Sequence, residues 1–211
     1  AQTGWQTVDG ATYYLGEDGV LRTGLTSIDD SVYDFGTDGA MQTGLVTMED
    51  GTVLFFGADG KQAMGLQTVD GKTYYFSDLG MAVNAKQTID GKTYYFGADG
   101  SMQTGLVTLN NGVYYFGKDG SMQTGFVTME DGTVLFFGAD GKQAMGLQTV
   151  NGKTYYFSDL GMTVNAKQTI DGKTYYFGAD GSMQTGKVTL KDGSYYFGNR
   201  LAGAGWFGIL F

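Results

Sequence analysis

The chain repeats itself about every 20 residues, and that period limits its fold more than any other feature. Aligned on a T-G-x-x-T frame, ten units begin at Gly4, Gly24, Gly44, Gly65, Ala85, Gly105, Gly125, Gly146, Ala166 and Gly186, and a vestigial start follows at Gly205-Trp206. A longer period lies on top. Residues 43–105 match residues 124–186 at 60 of 63 positions, differing only at Leu45/Phe126, Asp70/Asn151 and Ala82/Thr163. Four units were therefore duplicated together. The two 21-residue units share one insertion, Glu49-Asp50-Gly51 and Glu130-Asp131-Gly132. The whole chain, 1–211, reads as a single repeat module, and Ala1-Gln2-Thr3 as the tail of a preceding repeat in a larger protein.

Each unit has the pattern of a β-hairpin. In Leu66–Phe76 the dipeptide Asp70-Gly71 divides two β-prone runs, and Asp-Gly supplies the positive φ angles of a type I′ turn. No stretch keeps a 3.6-residue apolar period, which predicts an all-β chain without helix. A lone two-stranded hairpin is not stable in water, so the units have to stack on one another. A propeller blade needs about 40 residues, which excludes a blade per unit.

Strand alternation sorts the positions into two faces. The position of Val69 is apolar in all ten units, from Val8 through Ile28 to Leu190. The position of Phe76 is Phe everywhere except Leu15, and that of Tyr74 is Tyr or Leu. These three are assigned to the core. The position of Tyr75 is otherwise aromatic but takes Asp34 in the second unit, and the residue after the opening Gly or Ala takes lysine at Lys86, Lys167 and Lys187. Positions that accept charge are expected to be wet. Lys72, Lys92, Lys153 and Lys173, beside the turns, read as solvated, and the Asp-Gly carboxylates as turn residues.

Composition removes several functions. The 211 residues include no His, Cys or Pro, so imidazole or thiolate chemistry, disulfides and cysteine zinc sites are excluded. The net charge of −9 offers no footprint for nucleic acid. No apolar run approaches the roughly 18 residues of a membrane span, and no signal peptide is legible. No cofactor or metal is called for, and no residue stands out for catalysis.

The run G-x-x-T-[VI]-D-G-K-T-Y-Y-F-x-x-D-G-x-M-Q-T-G resembles the cell-wall-binding, or choline-binding-type, repeat superfamily. Within it the run is most similar to the glucan-binding repeats of glucansucrases and the C-terminal repeats of clostridial toxins. The resemblance covers residues 4–206. It implies a β-solenoid of about ten stacked hairpins, roughly three per superhelical turn, with ligands held between consecutive hairpins. It also implies a secreted or cell-surface setting in a Gram-positive bacterium and a non-catalytic binding role.

Choline-type repeats resemble G-W-x-x-x-x-G-x-W-Y-Y. Here the first Trp survives only at Trp5 and Trp206, and the Trp before Tyr-Tyr is replaced throughout, as at Thr12 and Thr73. The expected ligand is therefore a polysaccharide or surface glycan, bound multivalently by shallow aromatic sites. Thr68 and Thr73 are expected to serve its hydroxyls. The site-lining residues that the family pattern points to are Trp5, Tyr14, Tyr75, Tyr95, Tyr115, Tyr156, Tyr176, Tyr196 and Phe126, with Met41, Met102, Met122 and Met183 after the second turn. In the third, fourth, seventh and eighth units Gln62, Ala82, Gln143 and Thr163 stand in place of that Met. Two alternatives remain open: choline-dependent attachment to cell-wall teichoic acid, and a ligand-free stalk or self-association module. The apolar end, residues 205–211, reads as a cap on the solenoid or as a surface for a homodimer.

Overall fold

The computed structural model describes residues 2–198 and 209–210. Among these the protein is all-β: ten antiparallel hairpins follow one another, and no helix occurs. The first five hairpins pair Gly4–Val8 with Ala11–Leu15, Gly24–Ile28 with Ser31–Phe35, Gly44–Thr47 with Val53–Phe56, Gly65–Val69 with Lys72–Ser77, and Ala85–Ile89 with Lys92–Phe96. The second five pair Gly105–Leu109 with Gly112–Phe116, Gly125–Thr128 with Val134–Phe137, Gly146–Val150 with Lys153–Ser158, Ala166–Ile170 with Lys173–Phe177, and Gly186–Leu190 with Gly193–Phe197. The chain forms two compact units. One runs to Thr104 and takes in Asp119–Ser121; the other comprises Gly105–Lys118 and the chain from Met122 onward.

The turns follow from local chemistry. Asp70 (φ 49°) and Gly71 (φ 75°) both lie in the left-handed region, as do Asp9-Gly10, Asp90-Gly91, Asn151-Gly152 and Asp171-Gly172. Successive positive φ angles match the twist of the flanking strands, and Gly and Asp tolerate them best. The register follows, with Leu66 opposite Tyr75 and Gly65 opposite Phe76.

Each unit is a β-solenoid in which consecutive hairpins are joined in three ways. Backbone bonds cross the joint: Met41 N donates to Thr12 O (2.7 Å), Met102 N to Thr73 O (2.7 Å), and Met183 N to Thr154 O (2.7 Å). Methionines lie on glycines of the following turn, Met41 on Gly60, Met81 on Gly100 and Met122 on Gly141. A Cβ at any of these glycines would overlap the methionine side chain. Finally, aspartates of the second turn are tied down. Asp99 Oδ1 accepts from Ser101 N (3.0 Å) and Oγ (2.6 Å), and Lys72 Nζ donates to its Oδ2 (3.0 Å). Lys92–Asp119 and Lys153–Asp180 repeat this pair. The lysines expected to be merely solvated are thus ion-paired at these three sites, although they remain exposed.

The core is a column of rings. The Phe76 position is buried in nine hairpins, from 0% exposure at Phe35 to 5% at Phe197. Tyr33, Leu54, Tyr74, Tyr114 and Leu135 are buried beside it. The Val69 position shares that face but lies shallower than expected. Only Ile28 is buried, and Val8 is 55% exposed, because this position abuts the hairpin tip, where no second layer covers a two-stranded ladder. The Asp34 position departs the other way: Asp34 is only 7% exposed, since a short side chain sits below the level reached by the rings elsewhere.

Of the apolar end read as a cap, residues 205–208 and 211 lie outside the described residues. The backbone of Ile209–Leu210 pairs with Tyr196 and Tyr195.

Two measurements check this account. Phe76→Ala should lower stability to urea by about 3–5 kcal/mol, and Leu79→Ala, at 91% exposure, by less than about 0.5 kcal/mol. The ion-paired aspartates give the second. Hydrogen bonds from Ser121 and then Lys92 hold Asp119 down to about 2, and the same arrangement lowers Asp99 and Asp180. A depressed carboxylate stabilises the fold above its unfolded value of 3.8, and that contribution is lost as pH falls through the folded value. The thermal midpoint should therefore drop between about pH 4 and pH 2, and Asp119→Asn should reduce the drop.

Candidate functional site

Except at Tyr196, the second aromatic of the Tyr-Tyr pair does not stand free on an outer face. It is half-buried at the joint, and in the following pairs it stacks on the buried phenylalanine of the next hairpin. In the first unit the centroid distances are 6.5 Å for Tyr14–Phe35, 5.7 Å for Phe55–Phe76 and 6.0 Å for Tyr75–Phe96. In the second they are 6.1 Å for Tyr115–Phe137, 5.6 Å for Phe136–Phe157, 6.1 Å for Tyr156–Phe177 and 5.9 Å for Tyr176–Phe197. Period-2 alternation assigned these rings correctly to the face away from their own core residues. It could not show that the following hairpin covers them. Tyr95, opposite Lys86, is also half-buried, and Tyr196 is exposed.

The residue after the repeat-opening glycine sets what the rim of each joint presents. In the first unit Trp5, 41% exposed, meets Tyr14 edge-on at 5.0 Å and Tyr33 of the next hairpin at 4.9 Å. In the second unit Phe126, 42% exposed, meets Phe136 at 5.2 Å and Tyr155 at 5.0 Å in the same arrangement. These are the two joints with an exposed aromatic at this position among the described residues. Elsewhere the position holds Leu25, Leu45, Leu66, Leu106 or Leu147, or a lysine. Lys167 places its ammonium 4.2 Å from the Tyr195 ring centroid and pairs with Asp192 at 2.8 Å.

Both clusters recruit a residue the sequence reading reserved for the core. Tyr33 and Tyr155 occupy the first position of the Tyr-Tyr pair, and they contribute a wall from the following hairpin. The Trp missing before Tyr-Tyr therefore does not leave these joints open. Only the joint itself reveals this, because the wall lies one repeat downstream.

Other candidate residues fall elsewhere. Met41, Met102 and Met122 pack on the turn glycines, and Met183 bridges Phe177 in the ladder. In the fourth and eighth hairpins the frame assigned this role to Ala82 and Thr163, whereas the structure gives it to Met81 and Met162, which pair with Phe76 and Phe157 and lie on Gly100 and Gly181. The turn there is one residue shorter, Asp78-Leu79 and Asp159-Leu160, which shifts the register. Thr68 and Thr73, read as partners for sugar hydroxyls, face each other at 3.5 Å, and Thr149 and Thr154 do so at 3.3 Å. Among the described residues no group of three or more acidic side chains converges on a metal position.

Known proteins fit this arrangement. The profile of the choline-binding repeat matches residues 83–122 and 164–200, and that of the cell wall binding repeat matches 3–21, 64–80 and 145–161. No curated protein matches the chain. Among solved structures, CbpJ of Streptococcus pneumoniae is 20% identical with a TM-score of 0.71, over 93% of this chain and 86% of its own. Choline-binding protein F of the same organism, solved with a peptidoglycan analogue, is 24% identical with a TM-score of 0.67, over 92% and 84%. The choline-binding domain of S. pneumoniae CbpL is 29% identical with a TM-score of 0.68, over 87% and 98%. With two repeat profiles of one superfamily matching more than half of its length, and with a hairpin solenoid to carry them, the chain belongs to the cell-wall-binding, choline-binding-type repeat superfamily.

Proposed function

We propose that the protein is a non-catalytic attachment module that binds a cell-wall polymer through the rims of its hairpin joints, as part of a larger protein at the bacterial surface. The observation that carries this reading is the matching pair of aromatic clusters, Trp5/Tyr14/Tyr33 and Phe126/Phe136/Tyr155. An exposed ring edge-packed on two others offers its face to a ligand without moving. A quaternary ammonium is held at such a face by cation–π attraction and needs no hydrogen-bond acceptor. The net charge of −9 adds a long-range attraction for cations. Choline groups carried on a wall polymer are the ligand this favours, and several weak seats on one polymer give avidity. The joint at Lys167 supports the assignment from within, because a cation already occupies a tyrosine face there.

Glycan binding is the second reading. It is supported by the half-buried tyrosines along the remaining joints, whose ring edges suit the C–H faces of sugars. In either case no step of catalysis is assigned to the module.

The test is titration of the chain with choline, followed by calorimetry and tryptophan fluorescence. Trp5→Ala should weaken the tighter of two sites by about tenfold or more, since Trp is the best cation–π partner. Phe126→Trp should tighten the other. Binding of neutral glucan oligomers with no response to choline would transfer the function to the glycan reading.

A further inference from the structure

The second joint differs from all the others, because Asp34 stands where every other repeat carries an aromatic. Where the ring is missing, a groove of about 1260 Å³ lies between the second and third hairpins of the first unit, with Asp78 and Leu79 of the fourth also lining it. Asp34 is 7% exposed, and although its backbone carbonyl accepts from Gln42 N (2.8 Å), its carboxylate has no hydrogen bond or ion pair to any described residue. Every fully enclosed side-chain oxygen or nitrogen among the described residues does have a partner. The unpartnered oxygens of Asp34 therefore open onto the groove they line. Burial also pushes its carboxyl above the ordinary value, with no neighbour to bring it down.

We infer that this groove binds a primary ammonium group, carried on an amino sugar of a glycan chain. Four more carboxylates, Asp38, Glu49, Asp50 and Asp78, line it, and no lysine or arginine does. A buried carboxylate without a partner is costly, and the cost is offset by a group that is both cationic and a hydrogen-bond donor. A quaternary ammonium donates nothing, which separates this site from the aromatic clusters. A metal ion is disfavoured by geometry, since the carboxylates do not converge on one point. The volume exceeds what one amine side chain fills. Leu25 and Leu54 offer apolar wall to a pyranose face, and Thr47 offers a hydroxyl.

The inference stands apart from the aromatic seats and is tested separately on the full chain. Calorimetry at mildly acidic pH uses a glucosamine tetramer, its fully N-acetylated counterpart and tetralysine. The glucosamine tetramer should bind, and the acetylated tetramer should bind at least about tenfold more weakly. Asp34→Asn should weaken the amine tetramer by at least about tenfold while leaving the response to choline as in the wild type. Asp34→Tyr restores the residue class found in the other repeats, keeps the fold, and should abolish amine binding even if Asp34→Asn proves unstable. Equal binding of amine and acetylated tetramers, unchanged binding by Asp34→Tyr, or no binding of the amine tetramer would overturn the inference. Tighter binding of tetralysine would overturn its assignment to a glycan.

Discussion

The structure depends on the contact between one hairpin's second aromatic and the buried phenylalanine of the next. A two-stranded ladder has one layer and cannot enclose a core of its own. Tyr14 on Phe35, Tyr75 on Phe96 and Tyr156 on Phe177 each lend a ring across the joint, at 6.0 to 6.5 Å. The backbone bond from Met102 to Thr73 and the seat of Met81 on Gly100 hold the same pair of hairpins in register. The turn glycine at that seat is required by a close approach, because any side chain there would collide with the methionine. Repeat length is constrained for the same reason: each unit must return its phenylalanine to the place the previous ring needs.

The binding surface we propose is built on the rim of this packing. The residue after the opening glycine touches the joint but does not hold it together, so it varies freely: Trp5, Leu66, Phe126, Lys167. Leucine leaves the rim aliphatic, Trp or Phe completes an aromatic cluster, and lysine fills the tyrosine face with its own ammonium. The duplication shows how small the step is. Leu45 and Phe126 are one of only three differences between the two copies, and that difference adds a ring to the joint. Asp34 is the opposite case, where the structural ring itself is lost and a groove appears in its place.

Much of this was legible beforehand, and the reason is periodicity. Ten copies of one pattern separate a residue that never changes, such as Phe76, from one that admits charge, such as Tyr75. Alternation placed both on their correct faces, and Asp-Gly located the turns through the φ angles it tolerates. Several of the misreadings concerned a neighbour one repeat away, and one a change of turn length. The tyrosines assigned to the outside are covered by the next hairpin. Tyr33 and Tyr155, assigned to the core, also form cluster walls. The short turn at Leu79 moved the methionine role from Ala82 to Met81.

What the sequence by itself determined was the unit: a hairpin with a fixed turn, a fixed register and an apolar face too small to stand alone. These follow from local backbone preferences and from strand alternation, both contained within 20 residues. Only the tertiary structure decided which surfaces the joints create. A ring counts as core, wall or rim according to the hairpin that packs beside it, and that depends on how two copies of the unit meet rather than on the residues of either one.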